Sequence, residues 1–230
     1  LLSPATATEL GLASGDVIEL SYRERTVQAP VWILPGHSEG ALTVHLGYGR
    51  THAGQVGTGA GFDAYALRTA DVPWFGGGLA VRKVGEGHEL ASTQLHHSME
   101  GRDLVRAGTV SQFASDPGFV AALDPTAEVI SLYPKPTPSE YGWGMAIDLN
   151  ACNGCNACVT ACQAENNIPI VGKEQVLKGR EMHWIRLDRY YSDGRADAAA
   201  FGGEGNKVIP EDPQVVVQPV ACQHCELAPC

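Results

Sequence analysis

The seven cysteines of this 230-residue chain are Cys152, Cys155, Cys158, Cys162, Cys222, Cys225 and Cys230, and none precedes Cys152. An odd count crowded into one end of a chain is a poor disulfide framework and suits a metal-binding module.

The first group, Cys152-Asn-Gly-Cys155-Asn-Ala-Cys158-Val-Thr-Ala-Cys162, has the spacing C-x2-C-x2-C-x3-C. This spacing matches bacterial four-iron (4Fe–4S) clusters. Three thiolates two residues apart can curl around one corner of a cubane, and the small residues Gly154 and Ala157 let the loop turn tightly. A helix is expected to begin near 156–159 and carry Cys162 away. In two-cluster ferredoxins the fourth cysteine ligates the other cluster. The second group, Cys222-Gln-His-Cys225-Glu-Leu-Ala-Pro-Cys230, is C-x2-C-x4-C and reads as a second ligand set.

Other chemistries fit less well. Zinc would take four ligands, for instance Cys152, Cys155, Cys222 and Cys225, leaving Cys158, Cys162 and Cys230 unused. Thioredoxin-type redox chemistry needs one C-x-x-C beside a βαβ unit, and covalent haem needs C-x-x-C-H; neither is present. His96-His97 has no carboxylate or cysteine partner at useful spacing and reads as a solvated pair. His224 could donate to a cluster sulfur or simply be exposed. Trp184 and Ile185 read as core packing, or as shielding for a cluster. No G-x-S-x-G elbow, H-E-x-x-H or paired acid/base pattern occurs.

The 151 residues before Cys152 differ in character. Ser3-Pro4 followed by Ala5 to Leu10 reads as a short helix, capped by Ser3 and ended by Gly11. Strands are expected over 17–22, 26–34 and 41–46, and a helix over 62–70. Short strands without a long amphipathic helix suggest a barrel. The glycine-rich stretch 47–61 lacks the phosphate-binding spacings and reads as a surface loop. Prolines 117, 125, 134, 136 and 138 mark 116–140 as an extended connector. The expected organisation is therefore a barrel over 1–115, a linker over 116–140 and a cluster domain over 141–230. No run of 18 apolar residues occurs, and a net charge of −10 without a Lys/Arg cluster argues against nucleic-acid partners. A start at Leu1 and an end inside a cysteine motif suggest an internal piece of a longer polypeptide.

Residues 145–169, from Met145-Ala-Ile-Asp-Leu-Asn-Ala-Cys152 to Cys162-Gln-Ala-Glu-Asn-Asn-Ile-Pro169, and Cys222 to Cys230 resemble the four-cluster electron-transfer subunits of the dimethyl sulfoxide and polysulfide reductase families. Val171 to Val176 and Gly179 to Arg186 look narrower still, like the iron–sulfur subunit of alternative complex III, a bacterial quinol oxidoreductase. Ser3 to Asp16 and Pro35-Gly36 resemble the dinucleotide-binding domain of molybdopterin oxidoreductases. That resemblance covers residues 1–50.

The resemblance implies a mixed fold: an N-terminal double-psi β-barrel followed by the first part of an α+β ferredoxin-like domain. It implies 4Fe–4S clusters, a 3Fe–4S cluster in the full-length chain, and no molybdopterin. Cys152, Cys155 and Cys158 would share a cluster with a cysteine beyond 230. Cys162 would serve a second cluster, and Cys222, Cys225 and Cys230 a third. The implied partners are integral membrane quinol-oxidising subunits, multi-haem and mono-haem cytochromes c and a terminal oxidase, at the periplasmic face of the inner membrane. The expected role is electron relay without substrate chemistry in this chain. The alternative is an active molybdopterin oxidoreductase, with the 47–61 loop gripping a dinucleotide.

Overall fold

Ser3 and Pro4 start the first helix where the sequence places it. The computed structural model describes residues 1–97, 99, 104–122, 134, 137, 141, 144–192 and 213–222. Helix α1 (Pro4–Leu10) is capped by Ser3, whose Oγ accepts from the Thr6 amide at 3.1 Å. It ends at Gly11, which takes the left-handed conformation (φ 62°) that glycine adopts without steric cost.

Strands β1 (Val17–Tyr22) and β2 (Arg25–Pro30) form a hairpin across Arg23 and Glu24, both at positive φ, as a two-residue hairpin turn requires. Strand β3 (Ala80–Gly85) pairs antiparallel with the other edge of β1, giving the order β2-β1-β3. The register sets Leu20 opposite both Val27 and Val81. Ile18, Leu20 and Ala29 therefore share one face, where they bury with Leu2, Ala7, Leu12, Val31 and Leu67. Leu20 is 1 % exposed, and burying a leucine fully contributes roughly 1.5–3 kcal/mol.

Three expectations change here. The strand expected over 26–34 ends at Pro30. Residues 41–46 form no regular strand. Thr43 instead exchanges two backbone hydrogen bonds with Leu1 (2.8 and 3.0 Å), while Leu42 and Val44 pack against the core. The helix expected over 62–70 shrinks to a single 3-10 turn, Ala64–Leu67, started by Asp63 Oδ1 on the Tyr65 amide. It stops because Arg68 is extended. The 47–61 stretch closes on itself through Gly49 N to Ala60 O (2.8 Å) and Gly59 N to Arg50 O (2.7 Å), with a helical turn, α2 (Gly54–Gly57), between them.

The chain divides into two compact units. The first holds residues 1–96 with 168–182 and 213–214, and includes the sheet and core above. The second holds the described residues among 97–167, 183–192 and 215–222. It contains α3 (Val110–Ser115), α4 (Phe119–Ala122) and α5 (Ala157–Glu165). Its sheet pairs β4 (Ile185–Ser192) with β5 (Gln214–Ala221), and α5 packs on β4. A short helix, α6 (Lys173–Val176), belongs to the first unit. Strand β4 begins at Ile185, so Trp184 lies just ahead of it. Most of the expected 116–140 connector lies outside the described residues. Among the described residues, no helix is long and apolar enough to cross a membrane.

Candidate metal centre

The approach to Cys152 is set by Asp148. Its carbonyl accepts from the Cys152 amide at 3.0 Å, and its Oδ1 accepts from the Asn150 amide at 2.9 Å. Asn153 repeats the device, with Oδ1 accepting from the Cys155 amide at 3.2 Å. Such side-chain turns are what Asp and Asn do best outside regular structure.

Gly154 (φ 70°) and Asn156 (φ 64°) then turn the backbone through left-handed conformations, so Cys155 sits between two reversals. The Gly154 turn lies against β5. A Cβ on residue 154 would stand 3.1 Å from Val217 Cγ1, so close packing as well as φ calls for glycine. Helix α5 begins at Ala157, inside the expected window, and among the described residues no side chain caps its first turn.

Cys158 and Cys162 share a face of α5 at i, i+4 spacing, and Asn166, four residues further on, is the residue that ends the helix. The buried Val159 belongs to a neighbouring position. At the end of the helix, Asn166 Nδ2 donates to the Cys162 carbonyl at 3.0 Å and lies 3.6 Å from Cys162 Sγ. Sequence reasoning missed this contact; its one trace is an asparagine four residues after a cysteine.

Cys222 follows β5 directly, its amide donating to Trp184 O at 2.8 Å. The structure thus places the first motif's turn against the strand that leads into the second motif. Among the described residues, none of Cys152, Cys155, Cys158, Cys162 and Cys222 is held in a disulfide. Cys225, Cys230 and His224 lie outside the described residues.

Among the described residues, no three Cys, His, Asp or Glu side chains converge tightly enough to hold one metal ion. A cubane gives each thiolate its own iron, so its ligands stand farther apart than those around a single zinc ion. Thiols on a loop with two left-handed residues and a helix start that no described side chain caps suit such a group: thiolates bind iron, and backbone amides remain to face sulfide.

His97 is not a simple solvated residue. Its Nδ1 lies 3.1 Å from Arg189 O, and its ring packs 5.4 Å from the buried Tyr191 ring. Burial raises the Tyr191 phenol pKa. On β4, Arg186, Asp188 and Tyr190 alternate onto one face. Arg186 Nε meets both Asp188 oxygens at 2.9 and 3.1 Å, and Tyr190 Oη donates to Oδ2 at 3.2 Å. The buried carboxylate is thereby satisfied, and it raises the Arg186 pKa.

No protein-family model matches the chain. The chain is similar to iron–sulfur subunits of two reductases. One is the iron–sulfur subunit of a dimethyl sulfoxide reductase from Halobacterium salinarum. It is 32 % identical over 91 residues, which cover 38 % of this chain and 29 % of that protein. The other is the iron–sulfur cluster-binding subunit of menaquinone reductase from Nitratidesulfovibrio vulgaris. It is 73 % identical over 26 residues, 11 % of this chain and 10 % of that protein. The matched stretches thus span under a third of either relative.

Proposed function

We propose that this chain is an iron–sulfur electron-transfer subunit of a membrane-associated quinol oxidoreductase. In this reading it relays electrons from quinol toward cytochrome c haems. The observation that carries it is the C-x2-C-x2-C-x3-C loop and helix with its four thiols. Similarity to iron–sulfur subunits of two reductases supports the same class. The ligands are Cys152, Cys155, Cys158, Cys162, Cys222, Cys225 and Cys230. Clusters bound there supply one-electron transfer. The chain's own residues fix their positions, exclude water and donate hydrogen bonds to sulfur.

The narrower assignments belong to the same proposal. They are an alternative complex III-type subunit, membrane and cytochrome partners, a periplasmic location, a 3Fe–4S cluster in the full-length chain, and a double-psi barrel ahead of a ferredoxin-like domain. The hairpin, β3 and the buried face of the N-terminal unit are compatible with part of such a barrel. No molybdopterin is assigned to it.

The test is EPR of the full-length protein in its complex after anaerobic reduction, with iron and sulfide analysis. Iron–sulfur signals are expected, with sulfide matching iron. No signal and no acid-labile sulfide would end the proposal. Molybdenum at near-unit stoichiometry would overturn the cofactor-free barrel.

A further inference from the structure

We infer that Asn166 sets the reduction potential of the cluster that Cys162 ligates, by donating a hydrogen bond to that ligand's sulfur. The inference rests on the proposed function and adds a residue that none of the cysteine spacings identifies.

The geometry comes first. Asn166 Nδ2 is 3.0 Å from the Cys162 carbonyl oxygen and 3.6 Å from Cys162 Sγ. A carbonyl oxygen only accepts, so the amide group facing it must be the NH2 and not Oδ1. That fixes the orientation of the side chain. One amide hydrogen serves the carbonyl and the other is left for the sulfur. The backbone holds this arrangement: the Asn166 amide also donates to Cys162 O at 3.1 Å, and Asn167 (φ 50°) turns the chain away immediately afterwards. Rotating the side chain would give up both contacts.

The chemistry follows from charge. A ligand thiolate carries negative charge, and reduction of its cluster places more on the sulfurs. A hydrogen bond from a neutral N–H is stronger to the more negative acceptor. Asn166 therefore stabilises the reduced state and raises the potential, the lever by which hydrogen bonds to sulfur tune iron–sulfur centres. Asn166 is exposed, so water competes for its amide and the effect is moderate. A residue that merely ends α5 would have no such selectivity.

The test uses EPR redox titration of the intact complex carrying Asn166→Ala, which removes the donor, or Asn166→Asp, which keeps the shape and replaces the donor with an acceptor. The expected order of midpoint potential is wild type, then Asn166→Ala, then Asn166→Asp. The Asn166→Asp shift should be on the order of tenfold in the reduction equilibrium constant, about 59 mV for a one-electron couple. Only one signal should move, the same one that Cys162→Ser perturbs. If Asn166→Ala fails to load clusters, the near-isosteric Asn166→Asp alone decides. An unchanged midpoint, a rise, or equal shifts of every cluster would overturn the inference while leaving the electron-transfer reading intact. A wild-type complex without any iron–sulfur signal would overturn both.

Discussion

Asp16 Oδ2 accepts from the Ala13 amide at 2.8 Å and lies 3.0 Å from Lys83 Nζ, so one carboxylate joins the turn before β1 to β3. The Ala13 amide, and after it Lys83, hold the Asp16 pKa below its ordinary value of 3.8. A depressed folded-state pKa contributes stability above the unfolded value, and that stability is lost as pH falls through the folded one. Asp16→Asn should therefore lower the urea midpoint at pH 7. The gap to wild type should narrow below about pH 3.8 and close in stronger acid. A gap independent of pH between 7 and 2 would contradict the assignment. Asp71, pulled down to about 2 by the Arg23 guanidinium, is largely exposed, so its share should fade in 1 M salt.

Ser3 carries a helix start and a tertiary link together. Its Oγ accepts from the Thr6 amide at 3.1 Å and donates to Thr6 Oγ1 at 2.8 Å, and Thr6 Oγ1 in turn accepts from the Gly40 amide at 2.9 Å. Ser3→Ala removes the cap, and about 1 kcal/mol of stability should go with it. Ser3→Asp keeps a cap oxygen for the Thr6 amide but cannot donate to Thr6 Oγ1 when ionised. Urea unfolding should thus rank wild type above Ser3→Asp and Ser3→Asp above Ser3→Ala.

The legible parts of the chain are those whose signals are local. Ser3, Pro4 and Gly11 bracket α1 within nine residues, and α5 starts at Ala157, inside the window 156–159 that the cysteine spacing suggests. The parts that escaped are set by distant partners. Strand β3 carries Arg82 and Lys83 and has no clean alternation; it is a strand because β1 offers a free edge 63 residues earlier, as the Arg82–Glu19 ion pair shows. Residues 41–46 have strand-like composition, yet among the described residues they join no ladder, and Thr43 exchanges its backbone bonds with Leu1. At the candidate site the spacing singled out Cys152, Cys155, Cys158 and Cys162, which the structure sets on one loop and the helix that follows it. The Asn166 contact was not legible, because an i, i+4 amide-to-sulfur bond leaves no compositional mark.

Gly154 should tolerate no side chain. Alanine at φ 70° costs roughly 1–2 kcal/mol, and its Cβ would stand 3.1 Å from Val217 Cγ1. Gly154→Ala should lower both the unfolding free energy and the iron bound per chain after reconstitution. Adding Val217→Ala should recover the contact part of the loss but not the backbone part. Full recovery in the double variant would show that φ is not what selects glycine here.

Cys155 and Cys162 should behave differently although one motif holds both. Cys155 lies in the loop between two left-handed residues, whereas Cys162 sits in α5, four residues beyond Cys158 and so about 6 Å farther along the helix axis. The proposed ligation gives Cys155 to the cluster of its own loop and Cys162 to a neighbouring one, as in two-cluster ferredoxins. Cys155→Ser should then damage one EPR signal, and Cys162→Ser another. Either change can also weaken the fold, because cluster binding is coupled to folding. The comparison therefore needs both variants in the intact complex, with iron content measured alongside the redox titration. Loss of the same signal from both, at equal iron content, would mean that all four thiolates of the motif hold one cluster.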